Sequence, residues 1–192
     1  MQIKLLLLCL GLALTGMATM VQAIEEPAFE NAGQVGNVEL RDYAATIQAR
    51  TPSARESGSS STFRRLAGYI FGGNATETSI AMTAPVETHM AKDGYMAFTM
   101  PSQYGMADLP APLDDSVSLH QVPSRRLAVI SFGGWATDGK VERKTAELLN
   151  ILESNGIGVA GPPSLHQYNP PWTPPWSRRN EVVVEVVVDT RR

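Results

Sequence analysis

Cysteine is nearly absent. The single one, Cys9, lies in an apolar run and is preceded by Leu8 rather than by the small residues a lipidated cysteine requires. Once that run is removed, no disulfide, thiol nucleophile or thiolate metal site is possible, so stability must come from a core. Histidine is scarce as well. His89, His120 and His166 stand 31 and 46 residues apart, with no His-x-x-His or His-Glu-x-x-His spacing to hold a metal. No Gly-x-Ser-x-Gly turn offers a strained serine, and Gly72-Gly73 follows a helical pattern instead of opening one, so a phosphate loop is missing. Neither sign of charge dominates: 16 basic residues face 19 acidic ones, and no basic stripe recommends nucleic acid as a partner. Together these absences favour a binder over an enzyme.

The one long apolar run is at the start. Lys4, the run Leu5 to Leu14 and the small-residue site Val21-Gln-Ala23 read as a signal peptide over 1–23, too short for a membrane span. The expectation is an exported protein, periplasmic or secreted, with no span left after cleavage. Residues 24–37 read as a polar, partly ordered leader, and 38–190 as a single domain.

Within that domain, Val38 to Ala49 alternates apolar and polar and predicts a strand with one buried face. Phe63, Leu66, Ala67, Ile70 and Phe71 have helical spacing, and Gly72-Gly73-Asn74 ends the helix. Strand-like runs follow at about 80–90 and 94–100, joined by Lys92-Asp-Gly94, and another near 116–122. Pro85 cannot donate to a ladder, which puts Ile80 to Pro85 near an edge or bulge. The second half repeats the order: a strand at 127–132, a helix at about 139–154 closed by Asn155-Gly156, a strand near 164–169 and a last one at 181–188. Val182 to Val188 is apolar at nearly every position and predicts a central strand covered on both faces. Each half reads strand, helix, strand, strand. The expected fold is α+β, a mostly antiparallel sheet with two helices on one face.

Two features stand out chemically. Met82, Met90, Met96, Met100 and Met106 fall within 25 residues, a density of adaptable apolar side chains that suits core packing or a ligand wall. Tyr168-Asn-Pro-Pro-Trp172-Thr-Pro-Pro-Trp176 is stiffened by four prolines and followed by Arg178 and Arg179. A stiff loop can hold tryptophans at a cleft edge at low entropic cost, or simply cover the core.

Gly68-Tyr-Ile-Phe-Gly-Gly-Asn74, Ile80-Ala-Met-Thr-Ala-Pro-Val86, Phe98-Thr-Met-Pro-Ser-Gln-Tyr104 and Tyr168-Asn-Pro-Pro-Trp172 with Arg178-Arg-Asn-Glu-Val182 resemble, in order, the SOUL heme-binding protein family. The resemblance spans about 36–190. It implies a pseudo-twofold, partly open barrel and a cleft for heme or a related tetrapyrrole beside the first helix. By position it points to Arg64, Arg65 and Arg178 for the propionates, with Ala67, Phe71, Met82 and Trp172 as further contacts. Trp172 to Trp176 replaces a lysine common in the family's C-terminal loop. The histidine some relatives carry near the first strand and helix has no counterpart in 38–74, which leaves His89, His166, Met82 or Tyr69, or no protein ligand, for the iron. Two other readings stay open: a module for another flat hydrophobic ligand in the same cleft, and an enzyme acting on tetrapyrroles or esters.

Overall fold

The computed structural model describes residues 24–53 and 58–187. They form β1 (Phe29–Val35), β2 (Val38–Tyr43), β3 (Thr46–Pro52), α1 (Gly58–Ile70), β4 (Val86–His89) and β5 (Tyr95–Thr99). After these come β6 (Ser118–Val122), β7 (Arg125–Gly133), α2 (Asp138–Ser154), β8 (Ser164–Gln167) and β9 (Arg179–Glu185), with a short 3-10 turn at Pro175–Ser177. The strands make one nine-stranded sheet in the order β1-β2-β7-β9-β8-β4-β5-β3-β6, and every neighbouring pair is antiparallel. The α+β, partly open barrel expected from the sequence is the fold observed. The expected signal peptide at 1–23 lies outside the described residues.

Leaving β1 aside, the strand order reads the same from both ends. β2 matches β6, β7 matches β3, β9 matches β5, and β8 meets its counterpart β4 at the centre. The repeat seen in the sequence is therefore a true pseudo-twofold, with one more strand at the head of each half. Those leading strands cross over: β2 pairs with β7 of the second half, and β6 with β3 of the first.

Register shows that both helices cover the same face. Phe98 and Met96, which pack with Leu66, Tyr69 and Ile70 of α1, lie opposite Val86 and Thr88 of β4. Thr88 in turn lies opposite Leu165, and Leu165 opposite Val182, which packs with Leu148 and Leu152 of α2. The alternate residues of every strand face the other way, into the concave side. β9 supplies both faces, Val182 and Val184 beneath α2 and Val183 in a small concave cluster with Leu127 and Val129. That is the central strand its valine run predicts.

Three expectations needed correction. Val38 to Ala49 is two strands broken at Ala44-Ala45, because the chain changes partner there while its alternation continues. The polar leader contains β1, an exposed edge strand folded back on β2 through Gly36 at φ 60°. Lacking a buried face, it carries no alternation for a reader to find. Residues 80–85 stay outside the ladder and reach β4 through a cis Ala84–Pro85 bond, so the strand predicted at 80–90 is only Val86–His89. Helix α2, by contrast, ends where predicted: Gly156 adopts φ 67°, and the Ile157 and Gly156 amides donate to the Leu152 and Glu153 carbonyls.

Candidate functional site

The outer face of α1 borders an open groove of about 540 Å³. Arg64, Arg65 and Gly68 line it from the helix, a spacing that puts them on one side. Gly68 has no side chain, and a Cβ there would meet nothing within 4 Å, so the floor is bare. Gly73 fits against the helix end only because it lacks a Cβ, which would come within 2.6 Å of the Gly68 carbonyl oxygen. The far wall is the 110–114 segment. It is tied down by the Tyr69 hydroxyl donating to the Pro110 carbonyl at 3.0 Å and the Leu113 amide donating to the Gly73 carbonyl at 3.1 Å.

Asn74 holds this corner together. It is fully buried; its Nδ2 donates to the Tyr69 and Thr78 carbonyls at 3.0 and 2.7 Å, and its Oδ1 accepts from the Thr76 and Thr78 amides. Asn74-Ala-Thr76 matches a glycosylation sequon, but with both ends of the amide engaged in the interior the folded protein cannot carry a sugar there.

Arg64 is exposed and forms no ion pair among the described residues. Arg65 lies close enough to Asp114 to help lower that carboxyl's pKa, after the larger effect of the Ser116 hydrogen bonds. Leu113, 66 % exposed, lines the groove with these cations, whereas Phe71, 69 % exposed just past the helix, is not among the lining residues. Ala67 is half-buried on the helix, and Met82 packs against the core beneath it.

Trp172 and Arg178 lie on the β8–β9 connection in the second half. β4 and β8 are neighbours with Val86 opposite Gln167, so the segment carrying Met82 and the loop carrying Trp172 leave the sheet at the same edge. Trp172 and Trp176 are over four-fifths exposed, which rules out the reading in which they cover the core. Arg178, which the resemblance points to for a propionate, is engaged within its own loop. Its guanidinium stacks 3.8 Å from the Trp135 ring and donates to the Thr173 and Pro171 carbonyls, clamping the loop.

The concave face holds a polar cluster that was not foreseen. Arg41 donates to both carboxylate oxygens of Glu181 at 3.2 Å, and the Tyr168 hydroxyl donates to Glu181 at 2.6 Å. Glu87 accepts from Gln48 at 2.8 Å and from Ser164 at 2.9 Å, with Arg125 and His166 each 3.7 Å away. Burial pushes the Glu87 carboxyl up, but His166, Arg125 and Gln48 outweigh it and hold the group well below the usual carboxylate range. Burial and the Glu181 carboxylate push the Tyr168 phenol far upward, so it stays a donor. Ser164 sits between His89, 3.1 Å away, and Glu87. A serine nucleophile must give its proton to the histidine; here the carboxylate takes it, and no triad is formed. One sequence signal was available: Glu87 and Glu181 each interrupt or border an apolar run.

The α+β half-barrel is a known architecture. The C-terminal domain of EcmrR shares it with a TM-score of 0.57 over 78 % of this chain and 96 % of that one, at 12 % identity. A hydrolase from Listeria innocua shares it with a TM-score of 0.55 over 81 % and 94 %, at 10 % identity. At such identities the likeness is one of fold alone.

Sequence then narrows the class. The chain belongs to the SOUL heme-binding protein family, which matches residues 24–185. Human heme-binding protein 2 is 29 % identical over 150 residues, covering 70 % of this chain and 73 % of that protein. Bovine heme-binding protein 1 is 29 % identical over 122 residues, 59 % of this chain and 63 % of its own length, so the chain spans just under two thirds of that relative. The relatives' names speak of binding, not catalysis.

Proposed function

We propose that this protein is a non-enzymatic carrier of heme or a related tetrapyrrole, exported to the periplasm or the medium, and that the groove beside α1 is where the ligand sits. The observation that carries the reading is the α1 groove itself: a bare glycine floor, an exposed Leu113, and at its rim Arg64, which has no ion pair among the described residues. A porphyrin is a flat apolar plate with two carboxylates on one edge, and it requires apolar walls plus cations at the mouth. About 540 Å³ lies within the range that such ligands occupy, whereas the concave cavity of about 100 Å³ is too small. Arg64 would meet a propionate, and Met82, Trp172 and Trp176 would extend the apolar edge. Among the described residues no helix is long and apolar enough to cross a membrane.

Among the described residues that line this groove, Tyr69 is the one candidate iron ligand; Met82 is not among them and packs against the core. His89 and His166 face the concave side, and the Tyr69 hydroxyl is committed to Pro110. The ring and its carboxylates therefore supply the affinity. Metal-free protoporphyrin is expected to bind within about threefold of hemin, measured by absorbance and tryptophan-fluorescence titration. A hemin preference above about thirtyfold would mean that a protein ligand holds the iron, and would refute this geometry.

Arg64→Ala is expected to weaken hemin binding by about fivefold, a modest loss because the guanidinium is exposed. An unchanged endpoint and affinity in that titration would move the ligand away from α1.

A further inference from the structure

The concave cavity contains an unexplained group. His166 is buried to 6 % exposure, it lines the cavity, and neither ring nitrogen has a hydrogen-bond partner. Buried polar atoms are nearly always paired, so two on one ring call for an occupant. A cavity of this size, roughly 100 Å³, has room for only a few heavy atoms.

What is left over in the cavity decides the ligand's chemistry. The carboxylates are already served: Glu181 by Arg41, Tyr168 and Ser131, and Glu87 by Gln48 and Ser164. The third acid, Glu26, at the mouth, is taken by Arg179. Unspent capacity lies with donors. The Arg125 side chain makes no hydrogen bond among the described residues, only ion pairs at 3.7 Å to Glu87 and 3.8 Å to Glu185, and it is mostly buried. Arg125 and His166 converge on the same Glu87 oxygen, Oε2. Leu127, Pro85, Pro27, Ala44 and Phe29 add apolar wall, beside the hydroxyl-bearing Tyr43, Thr46 and Thr99. Spare donors together with apolar surface describe a receptor for an acceptor-bearing head on a short tail.

We propose that the concave cavity is a second binding site, on the face of the sheet opposite the helices, for a small monocarboxylate whose head group is held by Arg125 and His166 and whose tail lies against Leu127 and Pro85. The guanidinium supplies paired N–H donors to the carboxylate, the arrangement that suits Arg best. The site uses no residue of the α1 groove, so it stands or falls independently of the tetrapyrrole reading.

The test is a titration of the ¹⁵N-labelled protein with sodium butyrate, followed by amide shifts, with butylamine hydrochloride at matched ionic strength as the cationic counterpart. Butyrate is expected to give saturable shifts on β7, β8 and β4, and butylamine none. Arg125→Gln is expected to weaken butyrate at least tenfold, and His166→Phe to weaken it comparably. Arg126→Gln, next along the strand but paired with Asp42 outside the cavity, should leave it unchanged. Should His166→Phe fail to fold, Arg125→Lys provides the second reading: it keeps the charge, loses the paired donors, and should bind at an intermediate level. Absence of saturable butyrate shifts, stronger binding of butylamine, or butyrate binding indifferent to Arg125→Gln would each overturn the assignment.

Discussion

Arg41→Met is expected to cost about 3–5 kcal/mol of unfolding free energy, the loss that breaking a buried ion pair brings. The guanidinium is 8 % exposed and the Glu181 carboxylate 2 % exposed, so removing the cation leaves a charge buried against Tyr168 and Ser131 with nothing to balance it. Desolvation by burial works against the Arg41 charge. The Tyr43 hydrogen bond and the Glu181 and Glu39 carboxylates more than offset it, so its pKa lies above the usual arginine value and the group stays charged. The companion experiment separates a lost attraction from a stranded charge. Adding Glu181→Gln to Arg41→Met removes the orphan while keeping an acceptor for Tyr168, and should recover most of the loss. Urea unfolding of the wild type, the single and the double variant decides it. A single variant within 1 kcal/mol of wild type, or a double variant less stable than the single, would show that the pair does not behave as a buried one.

Asn74→Ala is expected to cost about 2–4 kcal/mol, because it strips partners from several backbone groups at once, the buried Tyr69 carbonyl among them. The Tyr69 and Thr78 carbonyls and the Thr78 amide all lose theirs. Aspartate does not rescue the site, since it would turn an oxygen toward two carbonyl oxygens. The same residue braces the groove: Asn74 bridges to Pro112, and the neighbouring Ala75 amide donates to the Ala111 carbonyl at 2.9 Å. Destabilisation, read from urea midpoints, should therefore be accompanied by weaker hemin binding even where the variant is still folded. A variant with wild-type stability would mean that the loop finds another way to satisfy those groups.

The helices and the valine-rich strand were legible because each has a buried face of one period. On α2 the helical spacing of Val141, Thr145, Leu148, Leu149 and Leu152 marks the inward side, of which Val141, Leu148 and Leu152 are buried and Thr145 and Leu149 half-buried, and the left-handed Gly156 ends it. On α1 the same logic found Leu66 and Ile70 but also named Phe63 and Phe71, which are 40 % and 69 % exposed. Periodicity reports which residues share a face, not how far that face extends beyond the sheet. The concave cluster escaped for a different reason. Arg41 and Glu181 are 140 residues apart, and a glutamate on alternate positions of a strand looks like a side chain turned to water. Here the curl of the sheet, together with Phe29 of β1, closes over that side; the Phe29 ring lies 4.5 Å from the Arg41 guanidinium. Curvature leaves no mark on the alternation of a strand. Of the residues named beside α1, Arg64 borders the groove while Ala67 and Phe71 lie outside its lining; the capture of Arg178 depends on Trp135, reached only once β7 and β9 are paired.

The crossing of the leading strands also imposes an order in time. β9, the last of these strands in chain order, belongs between β7 and β8, and β8 is the seam to the first half. β2 must wait for β7, which is made only after the whole first half and β6. Neither half therefore completes its sheet from its own strands alone: the rims are laid down first and the keystone follows the other strands. A chain so arranged keeps its sheet incomplete until β9 is made, and its folding is governed by distant pairings of the slow kind.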